Sequence, residues 1–136
     1  MSRTEIRELA FKLIYSLEIQ KTIEQEQLEL FIEENQLEKE EEKTYIETTY
    51  QGIIQNKEEI ENLIQDNLKE KWSIDRISKI NLAILKIAIY EMIYSKLPYK
   101  VVINEAVEIA KRYGDDSSKS YVNGILASNV KKENLA

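Results

Sequence analysis

Arg3, Arg7 and Lys12, interleaved with Phe11 and Tyr15, open this chain with a mixture of cations and rings. Cationic groups neutralise phosphates and aromatic rings stack on unpaired bases, so the combination suits single-stranded RNA. The same residues could equally decorate the solvated edge of a helix. A second group surrounds Gly114: Lys111, Arg112, Ser117, Ser118, Lys119 and Asn123. Hydroxyls and backbone amides at a helix start bind phosphate readily, although Ser117 or Ser118 could simply cap the helix. A third feature is Glu91, on the same helical face as Ile80, Ile84 and Ile87. A carboxylate there must be hydrogen-bonded or paired to offset its burial. With no second acid, metal ligand or nucleophile beside it, Glu91 is expected to join a structural network with backbone amides or Asn104 and not to act as a catalytic acid.

Composition narrows the chemistry further. The 136 residues include no Cys and no His, which excludes disulfides, thiolate metal sites and imidazole-based triads. No enzyme activity, cofactor or metal is expected. No apolar run is long enough for a membrane span, and Arg3, Glu5, Arg7 and Glu8 stand where a signal peptide would need an apolar core, so a soluble cytoplasmic protein is expected. The net charge of −6 is unevenly placed: residues 1–21 carry four basic and three acidic groups, residues 22–71 five and fifteen, and residues 72–136 ten and seven. Screening confines each charge to roughly 8–10 Å, so an acidic middle does not veto a basic surface built from the two ends.

One Pro and three Gly leave few breaks, and the apolar residues recur at helical spacing, which predicts an all-α protein of about seven helices. Ile6, Leu9, Ala10, Leu13, Ile14 and Leu17 form one face of a first helix. A short helix is expected from about Gln25 to Glu34, then a loop and a third helix from the LEKEEEK run, broken near Gln55 to Lys57. The composition turns from Glu-rich to Ile-rich around Lys71 to Asp75, placing a boundary between an N-terminal helical subdomain (1–71) and a C-terminal one (72–136). A helix from about Arg76 to Ser95 is apolar nearly all round and is expected to be central. Pro98 ends it, the next helix stops at Gly114 in a left-handed C′ position, and the last runs towards Val130. Gly124 within that last helix is expected to allow close approach of another helix. Asp75, Ser78 and Asn81, spaced three apart, are expected to share a polar stripe that the core does not need.

Several blocks recur together: Trp72, Arg76, INLAILKIAIYEM (Ile80–Met92), PYKVVINEAVEIAKRYG (Pro98–Gly114), SYVNGIL (Ser120–Leu126) and RELAFKLIYSLE (Arg7–Glu18). This set resembles the NusB family of bacterial transcription antitermination proteins. The resemblance implies two small helical subdomains packed together and binding to boxA RNA, chiefly in ribosomal RNA leaders. It also implies a partnership with the small-subunit ribosomal protein that acts as NusE, and loading onto RNA polymerase in an antitermination complex. It assigns RNA contacts to Arg3, Arg7, Lys12 and Tyr15 and to the loop and helix start around Lys111, Arg112, Ser117, Ser118, Lys119 and Asn123. The partner would dock around the central helix, at Asp75, Ser78 and Asn81. Many members carry an acidic residue where this chain has Ser117. Two other readings stay open on sequence: a NusB-like domain serving a ribosomal RNA methyltransferase, and a homodimer that stores the protein with its RNA surface covered.

Overall fold

The computed structural model describes residues 1–135, and among these every regular element is helical. Helix α1 (Arg3–Gln20) is started by a reciprocal cap: the Ser2 hydroxyl accepts from the Glu5 amide at 3.1 Å while the Glu5 carboxylate accepts from the Ser2 amide at 2.9 Å. Helix α2 (Gln25–Glu34) coincides with the expected short helix, and Glu24 and Gln27 cap it in the same reciprocal way. Helix α3 (Glu40–Gln55) begins with Glu40, Glu41 and Glu42 at the positive end of its dipole. Asn56 separates it from α4 (Lys57–Gln65), where the break is expected. A single 3-10 turn (Ile74–Arg76) then leads to α5 (Lys79–Ile93), α6 (Tyr99–Tyr113) and α7 (Ser118–Lys132).

Helix α5 is the axle of the molecule. Every residue from Asn81 to Met92 is buried, and α1, α3, α4, α6 and α7 all pack on it. It therefore touches helices from both sides of the boundary drawn at residues 71 and 72. It starts later than expected because the Ser78 hydroxyl accepts from the Asn81 amide at 3.1 Å and caps it there. Gly52 on α3 passes so close to this axle that a Cβ would lie 2.2 Å from the Tyr90 ring, so only glycine fits without displacing it.

The other two glycines depart from the sequence expectation. Gly114 has φ −89° and ψ −176°, an extended conformation and not a left-handed one. Its need is steric, since a Cβ would sit 2.3 Å from the Ser118 hydroxyl oxygen. Gly124 faces open space, with nothing within 4 Å of an added Cβ, so it does not mediate helix packing. Gly124→Ala should therefore stabilise the isolated protein by about 1 kcal/mol through helix propensity alone, raising its melting temperature by about 3–5 °C. A lower melting temperature in a thermal scan would show a packing constraint at this position after all.

Candidate functional site

Helix α1 lies antiparallel along α5 and beside α6, and this docking creates one composite face. Thr4 donates its hydroxyl to Glu105 of α6 at 3.1 Å. One turn further, Glu8 accepts from Arg112 at 2.8 Å and from the Tyr113 hydroxyl. That bond to Glu8 is the main cause pushing the Tyr113 hydroxyl above its ordinary pKa. Phe11 packs against Tyr113 with ring centroids 5.0 Å apart and against Tyr15 at 6.1 Å, and the Lys12 ammonium sits 5.9 Å from the centre of the Tyr113 ring. Lys12 and Tyr15 are thus brought beside Tyr113 and Arg112, although α1 and the end of α6 lie about a hundred residues apart in the chain, while Arg3 is exposed on the first turn of α1, next to Thr4. Tyr113 and Glu8 belong to this face and sequence reading omitted them; the aromatic position next to Arg112 was the available signal.

Arg7 is corrected. It is 6% exposed, and its Nε lies 2.9 Å and 3.2 Å from the two carboxylate oxygens of Glu91, with Glu105 3.9 Å from Nη1. The partner of Glu91 is therefore the α1 arginine; Asn104 is exposed on α6 and forms no hydrogen bond with it. Burial disfavours the charge on both partners. For the guanidinium the opposing pull of Glu91 prevails and the pKa rises further, whereas for the carboxyl burial prevails over Arg7 and moves it upward. The carboxyl's direction is the informative one, because arginine stays protonated in either case. Arg7 holds the fold together and presents no free cation to a ligand.

The remaining residues divide around α6 and α7. Lys111, Lys119 and Asn123 line the groove between those two helices, on the far side of α6 from α1. Ser118 is also corrected: it is 1% exposed, its hydroxyl accepts from the Asp115 amide at 3.0 Å, and it is closed off from a ligand. Ser117 is exposed and borders another groove, shared with Trp72, Ser78, Asn81, Tyr121 and Gly124.

Asp75, Ser78 and Asn81 do not share a helical stripe, because the chain is not one helix there. Asp75 belongs to the 3-10 turn and borders a different groove with Lys21 and Lys79; Ser78 is the cap of α5; Asn81 is buried. The Asn81 side-chain oxygen nevertheless has no hydrogen-bond partner among the described residues, which leaves a buried acceptor unsatisfied at the wall of the Ser117 groove. Trp72, 53% exposed, and Tyr121 supply apolar surface beside it.

Among the described residues, seven helices with α5 as their buried axle, carrying a face of cations and rings and a separate groove with an unmet acceptor, define a helical binding protein. Comparison with known proteins then places it. Residues 4–131 match the NusB family, and the chain belongs to that family. It is 46% identical over 132 residues to the transcription antitermination protein NusB of Acetivibrio thermocellus, an alignment covering 96% of this chain and 90% of that protein. Among solved structures, NusB of T. maritima superposes with a TM-score of 0.85 at 35% identity, covering 97% of this chain and 92% of that one. A structure of antitermination factors NusB and NusE in complex with dsRNA shares the fold, with a TM-score of 0.86 at 24% identity and 96% coverage of both chains.

Proposed function

We infer that this protein is a transcription antitermination factor that binds RNA through the face formed by α1 and the end of α6. The observation that carries this reading is the assembly of Lys12, Tyr15, Arg112 and Tyr113 on one face by a docking that joins the two ends of the chain, with Arg3 exposed on the first turn of the same helix. Cations for the phosphates and rings for the bases are what an unpaired strand requires. The reading takes boxA RNA of ribosomal RNA operons as the ligand, the ribosomal protein acting as NusE as the partner and RNA polymerase as the destination, and family membership supports it. The reading places the protein in the cytoplasm and assigns it no reaction. The NusE-type partner is assigned to the groove at the start of α5, where Trp72 and Tyr121 offer apolar area and the Asn81 oxygen awaits a donor.

Because Glu8 already engages Arg112, Arg3 and Lys12 are the better probes of RNA binding. Both are exposed, and among the described residues neither forms an ion pair. The Arg3→Ala, Lys12→Ala double variant should keep wild-type thermal stability and bind boxA RNA more weakly, with a salt slope shallower by about 1.4, at about 0.7 per lost contact to single-stranded RNA. Filter-binding titrations across salt concentrations read this directly. An unchanged slope would take α1 out of the RNA site.

A further inference from the structure

We propose that the cavity enclosed by the end of α1, the α3–α4 junction and the start of α5 binds a small phosphorylated molecule with an apolar body, of the class of a nucleoside diphosphate, whose phosphates Lys21 and Lys79 hold. The cavity holds about 590 Å³, inside the range of about 300–1,000 Å³ usual for small-molecule sites. It shares no residue with the face formed by α1 and α6 and only Ile77 with the groove assigned to the partner, so the proposal stands apart from the RNA reading.

Two cations meet on its wall without a counter-ion. Lys21 ends α1 at φ 73°, a conformation that glycine adopts freely and a residue with a side chain adopts at a cost. Lys79 opens α5 and lines the same cavity. The interaction with Lys79, hydrogen bonding first and repulsion second, leads the causes that hold the Lys21 ammonium below its ordinary lysine value, and the pull of Glu18 and Asp75 does not prevail against it. Among the described residues neither lysine forms an ion pair. An anion placed between the two removes their repulsion. A phosphate group with two charges meets both ammoniums, whereas a single carboxylate leaves one unmatched.

Four lysines and three carboxylates line the cavity, and Lys86 engages two of those carboxylates, Glu18 and Glu61. Lys57 adds a third cation free to turn towards a ligand, since it is 65% exposed and approaches Glu61 only at 3.8 Å. Asp75 is the acid of the wall outside that cluster. Apolar side chains make up most of the remainder, and Tyr50, Ile53, Ile77 and Leu82 among them are buried. The Tyr50 hydroxyl donates to the Ile23 carbonyl, which fixes its ring as part of the wall. Such a surface gains from covering the flat faces of a base and gains nothing from a bare sugar phosphate.

Calorimetric titration at low salt tests this with ADP, GDP, adenosine, inorganic phosphate and decanoate. Wild type should bind ADP or GDP, and the other three probes at least about tenfold more weakly, the effect of losing one hydrogen bond to a charged group. The Lys21→Gln, Lys79→Gln double variant should lose at least about the same factor for the nucleotide. A Lys39→Gln, Lys96→Gln double variant, which removes as much charge from exposed positions away from the cavity, should bind it as wild type does. Lys21→Gly, a residue suited to φ 73°, should fold at least as well as wild type and also bind more weakly, which keeps the test decisive if the double variant is unstable. No saturable binding of either nucleotide up to about 1 mM, or binding that survives loss of Lys21, would overturn the site. Phosphate or decanoate binding as tightly as the nucleotide would overturn the ligand class. Each outcome is read without RNA and leaves boxA binding by the α1 face to its own test.

Discussion

Arg7→Ala is expected to lower folding stability by about 3–5 kcal/mol, the usual effect of breaking a buried ion pair by removing one partner. The loss comes chiefly from what remains: the Glu91 carboxylate, 3% exposed, would be left without the guanidinium at 2.9 Å. Marginal domains have only about 5–15 kcal/mol in total, so the variant should show a large shift of its urea midpoint. Replacing both partners together, as Arg7→Met with Glu91→Leu, should recover most of the loss, since no charge is then stranded. A midpoint equal to wild type in the single variant would show that the pair does not hold the helices. The pH dependence has a definite sign. Burial holds the Glu91 carboxyl above its ordinary value, so its protonated form favours folding. That contribution is fully present below the unfolded value and is lost as pH rises through the folded one. Without Arg7 the carboxyl moves higher still, and the variant should regain stability as pH falls from about 7 towards about 5.

Lys86→Met should be nearly as damaging, and for a reason the helical pattern hides. The Lys86 ammonium, 2% exposed, donates to Glu18 of α1 and to Glu61 of α4 at 2.9 Å, so one cation on α5 ties together two other helices. Its removal leaves the buried Glu18 without a cation, at a cost of about 3–5 kcal/mol. Lys57, which approaches Glu61 from solvent at 3.8 Å, provides the internal control. Lys57→Ala should change stability by less than about 0.5 kcal/mol. Chemical denaturation of the two variants side by side decides the matter, and equal midpoints would remove the cluster from the account of stability.

Much of the fold is legible in the sequence because it is local. The bounds of α2, the break at Asn56 and the all-round apolar character of α5 follow from spacing and capping that a short window contains. The partners of buried charges are a different matter. Glu91 is recognisable as a buried carboxylate from its face alone, but its partner lies 84 residues away and no local rule selects it. Arg7 has the same spacing from Arg3 that a solvated edge would show, so no local signal separates it from a surface cation; its burial comes from α5 and α6. Lys86, in the middle of an apolar run, was the visible warning of a second such cluster. The candidate face shows the same division. Its cations and rings were legible as types, whereas their convergence, and the separation of Lys111 from Arg112 onto two sides of α6, depends on how α1 docks. The partner trio misled because a stripe presumes one continuous helix, and the chain there is a 3-10 turn, a cap and only then α5.

The two ion clusters also give the α1–α5 contact a polarity. Along α1 the order of charge is positive at Arg7, then negative at Glu18; along α5 it is positive at Lys86, then negative at Glu91. Laid antiparallel, each charge meets its opposite. Reversed, Arg7 would face Lys86 and Glu18 would face Glu91, two like-charge encounters in a region that excludes water. Two apolar helix faces can often slide or turn end for end at small cost, but this contact fits in only one direction. The charges that look wasteful inside the molecule act as a key: they add little net energy to the correct docking and make the inverted one prohibitive. The orientation that joins the two ends of the chain into one face is thereby written into four residues buried between the helices.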